Sequence, residues 1–393
     1  MNILYVNNCD LPGRVFNGYD LHLALIKNGI FAKQMVIDKY SDQPTVESLD
    51  VDSYERSWIV YMEEKSCVSN VLFPYAKKMM ETEAYKKSDI IHYHFTYHNM
   101  FSLLDYKDFM KRNTVWTIHD FWPITGNCTN PLKCRKWMTG CGDCGRFDDA
   151  YFPMKRDNTG FMWDVKKESY KDINPHIVVS TAYMEKCIRE SPLTRHFTNI
   201  HRIPFGIRNV NVKKQANKRV VIGFRLDNSE LKGCQFLFKA IEGLKRYRDL
   251  IEFQCVGNGV VSEEMSNNFA LTVFGWINDQ EKMTSIMAGW DIFVMPSIGE
   301  SFGLMAIEAM ACGCALLCFE GTSVYEISNA PSDALAAKYA SEKDLSLKME
   351  QLILDEDMRK EYQKKGRKYV KRKYRFEDYV SSHIELYEKV LGQ

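Results

Sequence analysis

The sequence lacks any apolar run of about 18 residues, so nothing in it reads as a helix that crosses a bilayer. It also lacks a strong charge of either sign: 52 basic and 51 acidic side chains leave a net charge of +1 at neutral pH. Bulk charge therefore argues against a dedicated nucleic-acid binder. Internal repeats and low-complexity tracts are absent. The opening Met1-Asn2-Ile3-Leu4-Tyr5-Val6 has neither the basic start nor the long apolar stretch of a signal peptide, and reads as a first strand. Without a secretion signal, the 12 cysteines are expected to be reduced rather than paired, in a cytoplasmic protein. What is present is length and apolar content. The 393 residues, 45% apolar, have room for two domains with full cores.

The densest pattern lies at residues 291–313. Asp291-Ile-Phe-Val-Met295 is a short apolar segment that predicts a buried strand. Pro296, Ser297 and Gly299 punctuate a turn, and from Ser301 the spacing of Leu304, Ile307 and Ala311 predicts a helix ending near Cys312-Gly313. A strand that turns tightly into a helix is a ligand-binding edge in open parallel sheets. The backbone N–H groups of Ser301, Phe302, Gly303 and Leu304 would form an anion site at that helix start. Glu300 and Glu308 flank it. A carboxylate beside an anion site suits a polyol attached to phosphate, with Glu308 accepting from ribose hydroxyls and Glu300 facing a sugar. Taken alone, the two residues read better as a helix cap at Glu300 and a solvated or paired surface residue at Glu308.

The full string Pro296-Ser-x-x-Glu300-Ser-Phe-Gly-Leu-x-x-x-Glu308-Ala-Met-Ala-Cys-Gly313 resembles the Glu-x7-Glu signature of retaining glycosyltransferases of family 4, whose fold is GT-B. Further along the chain, Thr114-Val-Trp-Thr-Ile-His119-Asp120 is an apolar strand ending in His-Asp, followed by Phe-Trp-Pro-Ile-Thr-Gly-Asn-Cys128. This is similar to a subset of the family. The resemblance implies that His119 contacts the transferred sugar and that Asp120 orients it, although Asp120 equally suits a cap for the next turn. The same subset carries the pattern Cys128-x5-Cys134-x6-Cys141-x2-Cys144. Four thiolates can hold a structural zinc; reduced core cysteines or a redox-labile cluster are the alternatives, and a catalytic metal is not expected because a four-thiolate zinc has no open position.

Other segments fit the same frame. Tyr19–Asn28 predicts a helix after a polar loop, in which Gly18 stands loosely where the family has a Gly-rich donor-phosphate segment; an ordinary connecting loop is the alternative. Residues 38–64 show no clear period. Asp89–Phe95 predicts a strand, and its His92 and His94, with His98 beyond, are read as cleft or core histidines rather than metal ligands. Ile200–Arg208 resembles a family segment from which Phe205 and Arg208 depart. Lys213–Arg219 is a linker candidate. Beyond it, Arg225 and Lys232 stand where the resemblance implies cations that neutralise a donor diphosphate, with solvated surface cations as the alternative. Trp276 and Ile277 stand where the family cradles the base.

The resulting expectation is an α/β, GT-B protein of two doubly wound Rossmann-like domains facing a central cleft. An acceptor-side domain would span 1–210 and a nucleotide-sugar domain 211–375, with a helix at 376–393 packing back on the first. The resemblance implies a retaining glycosyltransferase of hexosyltransferase type, moving a sugar from a nucleotide-sugar to a glycan or lipid-linked acceptor in surface polysaccharide biosynthesis. A peripheral contact at the inner face of the membrane is left open. No cofactor is expected for catalysis. A nucleotide-sugar 2-epimerase of GT-B fold and a non-catalytic sugar-nucleotide scaffold are the alternatives.

Overall fold

The computed structural model describes residues 1–111, 113–147 and 151–392. The chain divides into two compact units, Met1–Phe205 with Glu377–Gln393, and Gly206–Phe376.

The first unit holds seven parallel strands: β1 (Asn2–Val6), β2 (Phe31–Val36), β3 (Val46–Ser48), β4 (Ile90–Tyr93), β5 (Thr114–Thr117), β6 (His176–Val179) and β7 (Ile200–Arg202). They lie in the order β3-β2-β1-β4-β5-β6-β7. Strand β1 pairs with both β2 and β4, so the chain reverses its direction of growth between β1 and β4. β4 and β5 are buried throughout, which is why they read as unbroken apolar runs rather than alternating ones. The C-terminal helix Phe376–Val390 belongs to this unit, where Tyr387 Oη lies 2.6 Å from Tyr5 Oη on β1.

The second unit holds six parallel strands: β8 (Val220–Arg225), β9 (Ile251–Val256), β10 (Ala270–Val273), β11 (Ile292–Met295), β12 (Ala315–Phe319) and β13 (Leu335–Ala337). Their order is β10-β9-β8-β11-β12-β13, with the reversal between β8 and β11. Both flank that point through main-chain pairing, Ile292 with Ile222 and Val294 with Phe224. The linker candidate is not free chain. The Gln215 N–H donates to the Ala288 carbonyl, and the Asn217 side chain donates to the Gly289 carbonyl and the Asp291 carboxylate, so 213–219 is fastened to the second unit. Residues 38–64 contain β3 and a helix, Ser53–Ser66, capped by the Asp52 side chain.

A histidine-rich polar seam runs through the core of the first unit. His92 Nδ1 is 2.7 Å from Tyr387 Oη and its Nε2 is 2.7 Å from Thr117 Oγ1. His94 Nδ1 is 3.0 Å from His119 Nε2, so a single proton serves that pair. Burial favours the neutral rings. It pushes His119 down to about 3 and His383 to about 4, and holds His92 and His94 well below the ordinary range. In the unfolded chain these rings titrate near ~6.5. A depressed folded-state pKa gives stability that is complete above the unfolded value and is lost as pH falls towards the folded one. The urea midpoint is therefore expected to fall steadily from about pH 6.5 to about pH 4. A midpoint that is level across that window would show that the rings titrate normally.

Candidate active site

In the second unit the loops that follow β8 and β11 meet at the reversal point, at the carboxyl ends of the strands. The first continues into a 3-10 turn, Glu230–Lys232, and then a helix, Cys234–Ala240. The second leads to the helix Leu304–Ala311. The two loops are joined along their backbones: the N–H groups of Ile298 and Gly299 both donate to the Leu231 carbonyl, at 2.9 and 3.2 Å. Gly233 makes this approach feasible. Its φ is +76°, and a Cβ there would lie 1.8 Å from the Pro296 carbonyl oxygen.

This junction brings Lys232 to Glu300, with Nζ 2.7 Å from Oε1. Both side chains are largely shielded from water, at 22% and 12% exposure, so the pair is less screened than a surface one. Ser297 Oγ donates to the same carboxylate oxygen at 3.4 Å, and Ser323 Oγ donates to the Glu300 carbonyl at 2.7 Å. Arg225, at the end of β8, is paired with Asp227 Oδ2 at 2.8 Å.

The helix after β11 starts at Leu304 rather than Ser301. Gly303, at φ +105°, is its N-cap, and the three preceding residues form the turn. The first-turn N–H groups are thus displaced along the chain from those expected. Phe302 is fully buried and sits edge-on to Tyr374, so its ring packs the core while only its backbone remains at the loop. Glu308 is half-buried one turn into the helix. Desolvation pushes its carboxyl up to about 7, against the hydrogen bond from Gln280 that favours the ionised form. Trp276 and Ile277 follow β10, the edge strand, with β9 between it and β8. Trp276 is 58% exposed, and its indole N–H donates to Asn278 Oδ1.

The remaining candidates belong to the first unit. His119 follows β5, stacked between the rings of Phe95 and Phe205 and only 5% exposed, with Nδ1 lacking a hydrogen-bond partner. Asp120 accepts the Trp122 N–H at 2.8 Å, the capping role its sequence position allowed. Gly18 is the N-cap of the helix Tyr19–Lys27. A Cβ on it would lie 2.6 Å from His94 Nε2, so packing against His94 and Tyr5 accounts for the glycine.

The cysteine loop does not fit a tetrahedral metal site. Among the described residues no group of three or more His, Cys, Asp or Glu side chains is placed to hold a metal ion. None of the four is in a disulfide. Cys134 is exposed, Cys141 Sγ accepts the Gly126 N–H at 3.1 Å, and Cys144 Sγ accepts the Arg146 N–H at 3.4 Å. Lys166 organises the segment from beneath. Its buried Nζ donates to the carbonyls of Trp122 and Thr125 and lies 3.4 Å from the Trp122 ring centre.

Sequence reasoning did not single out Asp227, Ser297 or Ser323. Asp227 meets Arg225 two residues away and Ser297 meets Glu300 three residues away, each within its own loop, whereas Ser323 reaches the Glu300 carbonyl from beyond β12.

Residues 207–369 match the family model for glycosyl transferases group 1, which covers nearly all of the second unit. A sucrose-phosphate synthase from Thermosynechococcus elongatus superposes over 100% of both chains, with a TM-score of 0.69 at 15% identity. HepE of Anabaena, solved with UDP and glucose, superposes over 98% of this chain and 99% of its own, with a TM-score of 0.62 at 12% identity. The fold is therefore the GT-B fold. Among curated proteins, the N,N'-diacetylbacillosaminyl-diphospho-undecaprenol alpha-1,3-N-acetylgalactosaminyltransferase of Campylobacter jejuni is 32% identical over 133 residues, 33% of this chain and 34% of that one. The chain matches between 14% and 50% of the length of its curated relatives.

The loop junction generates a test. A non-glycine residue in the left-handed region costs on the order of 1–3 kcal/mol, and at position 233 the Cβ would also strike the Pro296 carbonyl. Gly233→Ala is expected to lower unfolding free energy by at least about that amount, read from urea denaturation. A variant as stable as its parent would show that the two loops part without cost.

Proposed function

We propose that this protein is a retaining glycosyltransferase that moves a sugar from a nucleotide-sugar to a glycan or lipid-linked acceptor in surface polysaccharide biosynthesis. The observation that carries the reading is the Lys232–Glu300 pair, 2.7 Å apart at the reversal point of the second sheet and inside the segment matched by the glycosyl transferases group 1 model. A cation and a carboxylate at one sheet edge suit a ligand that carries both phosphate and sugar hydroxyls. HepE, which shares the fold, was solved with UDP and glucose, and the Campylobacter jejuni relative is named for sugar transfer to a diphospho-undecaprenol acceptor.

In this reading Lys232 and Arg225 hold the departing diphosphate, helped by the first-turn amides of Leu304–Ala311, and Glu300 accepts from hydroxyls of the transferred sugar. Ser323 and Ser297 fix the Glu300 backbone and side chain so that its orientation is set before the donor arrives. His119, with Asp120, contacts the sugar. Glu308 accepts from ribose hydroxyls, and Trp276 and Ile277 flank the base. The acceptor attacks from the face the diphosphate leaves, and a diphosphate oxygen takes the acceptor proton. No metal is needed in that step. Negative charge on the diphosphate grows as the glycosidic bond breaks, so cations placed beforehand stabilise the transition state more than the bound donor.

Incubation with a panel of nucleotide-sugars and polyprenyl-diphosphate-linked acceptors tests the reading. The expected result is nucleotide release coupled to sugar transfer with the anomeric configuration kept. Lys232→Ala is expected to reduce kcat on the order of a hundredfold. Epimerised donor would assign an epimerase, binding without turnover a scaffold, and either would replace this proposal.

Glu308 supplies a separate check. With its carboxyl near about 7, the acceptor form grows as pH rises through neutrality. Ribose hydroxyls prefer that ionised form, so nucleoside diphosphate should bind more tightly from about pH 6 to about pH 8. Glu308→Gln should weaken binding by about 1–3 kcal/mol and lose this part of the pH dependence. An identical profile in parent and variant would remove Glu308 from the ribose site.

A further inference from the structure

The opposite end of the second sheet carries a cationic groove of about 700 Å³. It lies against the turn at Gly313, which precedes β12, and against Lys214, whose Nζ is 3.8 Å from the Asp291 carboxylate just ahead of β11. The groove is therefore at the amino ends of the strands, whereas Lys232 and Glu300 are at the carboxyl ends. Its long wall is the helix Glu356–Lys373. Gly366 and Val370 bury one side of that helix. Lys360, Lys364, Lys368 and Lys371 fall on successive turns of the side that lines the groove, with Arg372 beside them. Among the described residues no acidic one lines it.

Two readings compete for this charge. Cations in the last turn of a helix complement its dipole, which accounts for Lys371 and Arg372 without any ligand. The dipole does not account for Lys364 and Lys368, which lie further from that end. Nor does it account for two buried nitrogens in the groove lining. Lys214 Nζ and Arg367 Nε are both shielded from solvent and lack a hydrogen-bond partner. Arg367 is held in place by its Nη2, which donates to the Val212 carbonyl at 2.9 Å, leaving Nε unpaired. Buried donors in native structures are nearly always paired, so Arg367 Nε stands out as a cationic donor open to an anion, while Lys214 beside it has only the Asp291 carboxylate at 3.8 Å. Lys360 is partly neutralised by Glu356 at 2.7 Å. Among the described residues, Lys364, Lys368, Lys371 and Arg372 make no ion pair.

We propose that this groove binds a ligand bearing two or more phosphate groups, with Lys214 and Arg367 taking the innermost phosphate and Lys364, Lys368 and Lys371 the outer ones. Its volume exceeds what one phosphate needs, and the row of lysines extends the charge along about three helical turns. The inference does not depend on the proposed sugar transfer, because none of its residues belongs to the candidate donor site. A soluble oligophosphate and the headgroups of an anionic lipid surface offer the same chemistry.

The test uses the full chain with two probes at matched ionic strength. One is inorganic tripolyphosphate, followed by calorimetry. The other is vesicles of phosphatidylcholine with phosphatidylglycerol, followed by flotation against vesicles of phosphatidylcholine alone. The variant Lys364→Glu/Lys368→Glu/Lys371→Glu changes only exposed helix positions, and Arg367→Gln removes the inner donor while keeping its bulk. The expected result is binding to at least one probe that falls tenfold or more in the triple variant and severalfold in Arg367→Gln, with the thermal midpoint unchanged in the triple variant. Preference for tripolyphosphate identifies a soluble ligand, and preference for the charged vesicles a lipid surface; either outcome supports the site. Binding to neither probe, or binding that both variants retain, overturns it. So does binding that Arg367→Gln leaves untouched while the triple variant abolishes it, since that describes a diffuse surface charge and not a groove.

Discussion

The second unit depends on one close approach, that of the Gly233 backbone to the Pro296 carbonyl. The two loops involved follow β8 and β11, neighbours in the sheet but separated by about seventy residues of chain, the two crossovers that build β9 and β10. Only a residue without a Cβ lets those backbones touch, and the touch sets the distance between Lys232 and Glu300. Short contacts hold the edge around it: the Leu231 carbonyl serves two N–H groups of the other loop, Ser297 addresses Glu300 from within the same loop, and Ser323 from the segment after β12. The site is rigid because its members sit on loops that are fastened to each other as well as to their own strands.

The first unit solves the opposite problem. There the carboxyl ends of β1 and β4 are filled by side chains. Tyr5, His92 and His94 stack, and Gly18 closes over them. Imidazole suits that position because one ring nitrogen can donate while the other accepts, so His92 pairs with Tyr387 and Thr117, and His94 with His119, without charge. Neutrality is the condition for that packing, and burial enforces it. His119 is the member of the row nearest to solvent, and its Nδ1 lacks a hydrogen-bond partner, as do His94 Nε2 and His383 Nε2 deeper in.

How much of this was legible follows from which contacts are local. Strands β4, β5 and β11 announced themselves because both faces are buried, and the helix Tyr19–Lys27 because its ends carry a glycine on either side. Lys232 and Glu300 were legible as residue types in a recognisable string, but their direct pairing was not, since it spans 68 residues and rests on the loop junction. The start of the helix after β11 was misplaced by three residues because Gly303 caps it in the left-handed region, a conformation the apolar spacing does not reveal. The helix Ser53–Ser66 went unread for a different reason. It exposes Tyr54, Trp58 and Tyr61, which pack edge to face with one another on the surface, so its apolar period does not mark a core-facing side. The cysteine spacing suggested converging thiolates. In the folded loop two of those sulfurs instead accept backbone N–H groups, a local use that spacing alone does not distinguish.

A net charge of +1 conceals how unevenly charge is used in the second unit. At the carboxyl ends of β8 and β11 the two cations of the candidate site each have a carboxylate: Lys232 has Glu300 and Arg225 has Asp227. At the amino ends a row of lysines has almost none. Pairing holds a cation in one geometry and lowers the cost of keeping it partly buried, which suits a site where orientation matters and the ligand brings hydroxyls as well as phosphate. Unpaired cations keep their full field and tolerate several geometries, which suits recognition of charge itself. The helix Leu304–Ala311 runs from one end to the other, with Glu308 partway along it. Cys312, just past its last turn, feels both the Glu308 carboxylate and the Lys214 and Arg367 cations. The end of this helix is thus where the environment of the strands' carboxyl-end carboxylate gives way to that of the cationic groove.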